Sequence, residues 1–97
     1  MSNILSDVKL ALGISHGKKD KEITGAIASA KREMQMAGVA NIDESDAYTV
    51  TVITTYCKAM YNYQGEGERY GKLFEMQLAG MSMNSKYNTE ADDGTTD

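Results

Sequence analysis

The sequence predicts an all-α domain, and three observations support that prediction. Apolar residues recur at spacings of three and four residues along most of the chain. Glycines at 13, 38, 65 and 67 separate these periodic segments, and the chain contains no proline. The segment 46–63 fits helical spacing over nearly its whole length, whereas an alternating β-pattern covers only residues 49–54.

The first helix is predicted over about residues 3–12, with Ser2 or Asn3 as its N-cap. Gly13 follows as a residue suited to the left-handed conformation that ends many helices. Ile14 then stands where this type of C-cap places an apolar residue against the helix. The chain should therefore turn sharply at Gly13.

The second helix is predicted over about residues 20–37. Its apolar line is unbroken at helical spacing and comprises Ile23, Ile27, Ala30, Met34 and Ala37. Gly38 stops the helix, and Val39 can fold back onto Met34 in the same capping arrangement. We expect Ile27 and Met34 to lie in the core.

The third helix is predicted over residues 46–63, with Asp43 or Ser45 as its cap. A single thin polar line follows it and comprises Thr51, Thr55, Lys58 and Asn62. Nearly every other position is apolar or aromatic, which is typical of a central helix covered on most sides, and we expect Val50 to lie in the core. Because the chain is small, we expect partner subunits to complete that cover.

The fourth helix is predicted over about residues 68–80, after a turn at the glycines 65 and 67. Its apolar face comprises Tyr70, Leu73, Phe74, Leu78 and Met81. The segment 84–97 lacks periodicity and is predicted to be a flexible, disordered acidic tail. The sequence thus predicts a small four-helix domain over residues 1–83, followed by that tail.

Composition and charge restrict the function. The chain has 97 residues, so it forms one domain, and its single cysteine excludes an internal disulfide and suits a cytoplasmic origin. Acids and bases balance over residues 1–87, and the net charge of −4 arises from Glu90, Asp92, Asp93 and Asp97. A neutral body argues against a general nucleic-acid binder. We expect neither a secretory leader nor a membrane span, because no apolar run is suitable.

Residues that could carry chemistry have simpler interpretations. His16 lies in a polar loop and is interpreted as a solvated residue, and Cys57 lies mid-helix, where a cysteine behaves as a small hydrophobe. A short basic run precedes the second helix and comprises Lys18, Lys19 and Lys21. We interpret it as a solvated loop, with a phosphate contact as the alternative. We therefore predict neither an enzyme nor a cofactor or metal site.

Several segments together resemble the small head–tail connector proteins of tailed bacteriophages, also described as head-completion adaptors or DNA-packaging proteins. The resemblance covers about residues 3–83 and is greatest to versions from phages of low-GC Gram-positive bacteria. It rests on the order and spacing of residues 4–14, 20–23, 37–39, 53–59, 69–70 and 74–76. The turn at residues 64–67 is shorter than the acid-rich loop common in that family, and nothing beyond Lys86 matches.

The resemblance implies a virion protein that assembles in the host cytoplasm as a homo-oligomeric ring. The ring would dock beneath the portal protein. It would be a dodecamer if it follows the portal's usual symmetry of roughly twelve copies. It would extend the DNA channel without reading sequence, and would seat the downstream neck protein.

The contact residues favoured for such partners are Tyr61, Tyr63 and Arg69 near the last turn, together with Asn84, Lys86 and Tyr87 in the tail. Tyrosine is enriched at interfaces, although these rings could equally fill the core. The alternative function is a small helical DNA-binding regulator whose second helix, with its preceding lysines, would be the recognition element.

Overall fold

The structure, a computed structural model, describes residues 3–88, and within that range it contains helices and no strand. The order is α1 Ile4–Leu12, α2 Asp20–Met36, α3 Ala47–Met60, a 3-10 turn at Tyr63–Gly65, α4 Gly67–Ser82 and α5 Ser85–Asn88. The all-α prediction is confirmed. The four long helices lie close to their predicted positions, and α5 is an additional element.

The ends of α1 and α2 follow the predicted capping chemistry. The Asn3 side chain accepts a hydrogen bond from the Ser6 N–H at 3.2 Å, which satisfies one free donor of the first turn. Gly13 and Gly38 have φ angles of 75° and 99°, a region that favours glycine. The Val39 N–H then donates to the Met34 carbonyl at 2.9 Å, so the chain reverses immediately after α2.

The cap of α3 differs from the prediction. Asp46, rather than Asp43 or Ser45, is the N-cap, and its carboxylate accepts from the Thr49 N–H and the Thr49 hydroxyl, each at 3.0 Å. The Asp43 carboxylate instead accepts from the Ser45 N–H at 2.9 Å and stabilises the turn before the helix. Aspartate is a good cap residue at either position, so the residue type alone did not show whether Asp43 or Asp46 begins α3.

Helix α3 is central, because α1, α2 and α4 all pack against it. Its fully buried side chains are Thr49, Val52, Ile53 and Cys57. Thr55 is also buried, and its hydroxyl donates to the Thr51 carbonyl at 2.9 Å, so the predicted polar line is not entirely solvent-exposed. The chain itself thus covers the inner side of α3, and the expectation that partner subunits complete the cover of the remaining sides stays a prediction.

Other side chains of α3 remain outside the core. Val50 is only partly buried, although we expected it in the core, while Tyr48 and Met60 are exposed. Ile27 and Met34 are buried as predicted, and they join a core that also includes Val8, Ile23, Val39, Phe74, Met81 and Tyr87.

The connection between α3 and α4 is tight. Asn62 and Gln64 have positive φ angles of 48° and 53°, which non-glycine residues seldom adopt. The Asn62 side chain accepts from the Gly67 N–H at 2.8 Å and so satisfies the first free N–H group of α4. A Cβ atom at Gly67 would lie 2.8 Å from the Asn62 Oδ1 and 3.0 Å from the Ala59 carbonyl oxygen.

We therefore expect Gly67→Ala to lower the free energy of unfolding by about 1–3 kcal/mol, because the fixed Ala59 carbonyl cannot move away. Gly71→Ala is the matched control in the same helix, where a Cβ atom meets nothing within 4 Å. It should stabilise α4 by about 0.5–1 kcal/mol, since alanine favours helix more than glycine does. Urea unfolding measures both changes, and equal effects of the two substitutions would contradict this account of the turn.

The ordered body reaches further than predicted. Helix α5 packs against α4, and Tyr87 is buried in the core. The helical body therefore extends to Asn88 rather than ending at residue 83. The remainder of the predicted tail, residues 89–97, lies outside the described residues.

Candidate functional site

The predicted contact residues form two groups at opposite ends of α3. Tyr61, Tyr63 and Arg69 lie beyond its C-terminal end, whereas residues 84–87 lie near its N-terminal end, where Tyr87 reaches Asp46. Since α3 has 14 residues, about 20 Å separates the two groups. The structure therefore does not bring the six residues into a single site.

Two residues of the first group, Tyr63 and Arg69, belong to a cation–aromatic arrangement that we call the corner cluster: Lys58, Tyr63, Glu66, Arg69 and Tyr70. The Lys58 ammonium lies 5.1 Å from the centroid of the Tyr63 ring and 5.3 Å from that of Tyr70. The two rings meet edge to face at 6.1 Å. The Arg69 guanidinium lies over Tyr70 and pairs with Glu66, which raises the pKa of Arg69 through that hydrogen bond.

The corner cluster is suited to binding another protein. Each cation–aromatic contact at an exposed position is stabilising by about 0.5–1 kcal/mol. These contacts therefore restrict the long Lys58 and Arg69 side chains before a partner binds. Binding then loses less side-chain entropy than it would with free lysine and arginine side chains. Lys58 was not among the predicted contact residues, although its position in the polar line of α3 could have indicated it.

Tyr61 has a different environment from Tyr63. It packs partly buried against the core, and burial, followed by the nearby Glu22 carboxylate, raises the pKa of its hydroxyl. We therefore assign Tyr61 mainly a packing role.

The second group forms the C-terminal cluster, which consists of Asp46, Thr49, Lys86 and Tyr87. The Lys86 ammonium donates to one Asp46 oxygen at 3.0 Å, and the Tyr87 hydroxyl donates to the other at 2.9 Å. The hydrogen bond from Lys86, followed by that from the Thr49 N–H, holds the pKa of Asp46 well below its usual range. Asp46 thus caps α3 and binds α5 with one carboxylate.

Backbone contacts complete the attachment of α5. The Ala40 and Asn41 N–H groups donate to the Tyr87 carbonyl at 2.7 and 2.9 Å, and the Asn41 side chain donates to the Lys86 carbonyl at 2.9 Å. The Asn84 side chain accepts from the Lys86 N–H at 2.9 Å. Tyr87 is therefore a structural anchor, while Asn84 and Lys86 retain exposed surface.

A third feature, not predicted from the sequence, is the α4 outer face. It consists of Arg69, Lys72 and Met76 along the solvent side of α4, and of Met83 directly after the last residue of that helix. Met76 and Met83 are 72% and 80% exposed, and the exposed Ala79 and Gly80 separate them. The seven-residue spacing of two methionines was the available signal.

A shallow groove of about 310 Å³ lies at α1 and is lined by Ser6, Lys9, Leu10, Ile14 and Ser15. Leu10 is 83% exposed on its wall, and Lys9 pairs with Asp20 at 2.7 Å. Helix α1 packs against α2 and α3, whereas α4 packs against α3 and α5. The groove and the α4 outer face are therefore separate surfaces.

Reactive groups are few within residues 3–88. Burial raises the pKa of the Cys57 thiol to about 12, so it behaves as a small apolar residue, as predicted, and His16 is exposed. Across the described residues, no three His, Cys, Asp or Glu side chains gather as metal ligands. No helix in this part of the chain could cross a membrane.

Comparison of the chain with protein-family models, curated proteins and solved structures gives no match.

Proposed function

We propose that this chain is a structural head–tail connector of a tailed bacteriophage. Its copies form a ring beneath the portal, extend the DNA channel and seat the downstream neck protein. The observation that carries the proposal is the α4 outer face, because Met76 and Met83 are, with Leu10, the most exposed large apolar side chains among the described residues. The resemblance of several sequence segments to that family supplies the biological setting.

A ring needs two different surfaces on each subunit, because its contacts are heterologous. The α4 outer face supplies adaptable apolar side chains, since methionine adjusts readily to a partner's shape. The groove with Leu10 offers a second, separate apolar surface. These two surfaces support a ring better than the inner side of α3 does, because the chain itself already covers that side.

The partners of the ring are assigned to the two ends of α3. The corner cluster at one end and the exposed Asn84 and Lys86 at the other would meet the portal and the neck protein. The DNA would pass through the channel without base contacts. The chain has no catalytic role in this proposal, and its place is the head–tail interface of the virion after assembly in the host cytoplasm.

The double substitution Met76→Ser and Met83→Ser tests the proposal. Both side chains are exposed, so the melting temperature should change little, whereas ring formation with portal protein should fall at least about tenfold. Met36→Ser with Met60→Ser is the matched control, because those methionines are also exposed but lie on α2 and α3. Mass photometry of mixtures with portal measures the ring.

Normal assembly of the Met76/Met83 variant would contradict the assignment of the α4 outer face. A regulator that binds DNA through α2 would instead give a gel shift with a steep dependence on salt. The exposed side of α2 argues against that alternative, because Lys21 and Arg32 are accompanied there by Glu22 and Glu33. Opposite charges on one surface weaken the attraction to phosphates.

A further inference from the structure

The Lys58 ammonium in the corner cluster carries a positive charge that no carboxylate pairs with within residues 3–88. It lies 5.1 Å from the centroid of the Tyr63 ring and 5.3 Å from that of Tyr70, and the residue is half-buried. An aromatic face attracts a cation but leaves its charge unchanged. Lys58 is therefore held in place and is still able to attract an anion.

Arg69 brings a second cation to the Tyr70 ring. Its guanidinium lies 4.7 Å from the centroid of that ring, on which Lys58 also lies at 5.3 Å. Together these two distances limit the separation of the cations to about 10 Å. Glu66 pairs with the Nε edge of Arg69. The corner cluster thus contains two bases and one acid, and its net charge is positive.

The start of α2 lies at the same end of the subunit as the corner cluster, because α2 and α3 pack against each other in opposite directions. In the second half of α2, Lys31 pairs with Glu44, which stands just before α3. Just after α3, the pKa of the Tyr61 hydroxyl is raised by burial and then by the carboxylate of Glu22, which stands at the start of α2.

Three exposed lysines stand at this end, before and within the first turn of α2: Lys18, Lys19 and Lys21. The acid among them, Asp20, pairs with Lys9 at 2.7 Å. Among the lysines of residues 3–88, those outside an ion pair are these three and Lys58. All of them gather at one end of the subunit, which we call the basic end: Lys18, Lys19, Lys21 and the corner cluster.

The opposite end of α3 has a different pattern of charge. Its two lysines, Lys31 and Lys86, pair with Glu44 and Asp46. A further exposed acid, Asp43, stands beside them. In the described part of the subunit, the unpaired lysines are therefore confined to one end of α3, so an anionic partner is attracted mainly to the basic end.

We propose that the basic end binds an acidic segment of a partner protein, with Lys58 and Arg69 as the central contacts. This inference rests on the proposed function, in which the corner cluster meets another protein of the virion, and it names the chemistry of that partner. Two carboxylates that stand two or three residues apart in an extended segment are separated by about 7–10 Å, which matches the two cations. The contact sets orientation and association rate more than total affinity.

The arrangement of charge favours a protein segment over DNA. Glu22, Glu66 and Glu68 stand among the bases at this end of the subunit. Duplex DNA carries one negative charge per about 1.7 Å of its axis, so its backbone would also meet these carboxylates. An acidic protein segment needs carboxylates only opposite Lys58 and Arg69.

Binding of a fluorescently labelled deca-glutamate peptide to the full chain tests the proposal. Measured by anisotropy at low ionic strength, Lys58→Gln should weaken binding about fivefold, because it removes a central cation. Arg32→Gln is the matched control, since it removes one exposed positive charge from the other half of α2 and should weaken binding about twofold at most. Lys18→Gln with Lys19→Gln changes only exposed side chains and should also weaken binding more than the control does.

Equal weakening by Lys58→Gln and Arg32→Gln would overturn the proposal, because the peptide would then respond to total charge rather than to the basic end. A short DNA duplex that binds more tightly than the peptide, and loses affinity in the Lys58→Gln variant, would overturn it in favour of phosphate. If the peptide does not bind, a ring formed on portal by the unmodified chain would still support the connector function.

Discussion

Met34→Asp should leave the protein unfolded at room temperature. Met34 is completely buried between helices in the core, where a carboxylate has no partner. Burying an unpaired charge costs several kcal/mol, and removing the methionine side chain loses about 1.5–3 kcal/mol more. Those losses match the total stability of about 5–15 kcal/mol that is typical of a domain. Far-ultraviolet circular dichroism should show the loss of helix.

Met36→Asp is the matched control, because it makes the same chemical change two residues later in the same helix. Met36 is 64% exposed, so its replacement should cost less than about 1 kcal/mol, mainly through a negative charge near the C-terminal end of α2. A folded Met34→Asp variant with the stability of the control would show that the core is placed incorrectly.

Asp46→Ala should have the largest effect among substitutions of charged residues. It removes the cap of α3, which contributes about 0.5–2 kcal/mol, and it leaves the Tyr87 hydroxyl without its acceptor, at about 1 kcal/mol. The free energy of unfolding should fall by about 1.5–3 kcal/mol in urea titration. Amide exchange at α5 should also increase, because Lys86 and Tyr87 lose their partner.

Two control substitutions separate the contributions of Asp46. Asp46→Asn retains an effective cap but loses the charge, so it should be milder than alanine. Asp43→Ala removes a nearby exposed acid that binds only Ser45, and should cost less than about 1 kcal/mol. An Asp43→Ala effect equal to that of Asp46→Ala would contradict the assignment of the cap.

The pH dependence of stability follows from the lowered pKa of Asp46. Because the folded-state pKa lies below the unfolded value of about 4, the contribution is complete above that pH and is lost as the pH falls toward the folded-state value. The unmodified chain should therefore lose more stability between pH 7 and acid conditions than the Asp46→Asn variant does. Thermal melts at several pH values measure the difference.

Local chemistry explains why much of the fold was predictable from the sequence. The glycine turns after α1 and α2 depend only on neighbouring residues. The burial of Met34 was predictable from the helical spacing of nearby apolar residues. The cap of α3 was harder to predict, because Asp43 and Asp46 are chemically alike. The choice of Asp46 depends in part on Lys86 and Tyr87, which lie about forty residues away in sequence.

The candidate site was less predictable, since it depends on how helices pack. Periodicity showed that α3 is rich in apolar residues, but not that Thr55 faces inward while Met60 faces solvent. Helix α5 was missed because Tyr87 stands alone in a polar segment, without periodicity of its own. Tyr63 and Arg69 are close in sequence and share the corner cluster, whereas Tyr61 packs against the core. The separation of these residues from residues 84–87 depends on how the helices pack, which the sequence did not show.

The central claim is that this subunit folds alone and then forms a closed ring through contacts between identical copies on the portal. Native mass spectrometry of the full chain, with and without portal protein, tests it most directly. We expect a portal complex that gains a fixed, cyclic number of copies, roughly twelve by portal symmetry. A portal whose mass is unchanged at saturating concentrations of this chain would contradict the claim.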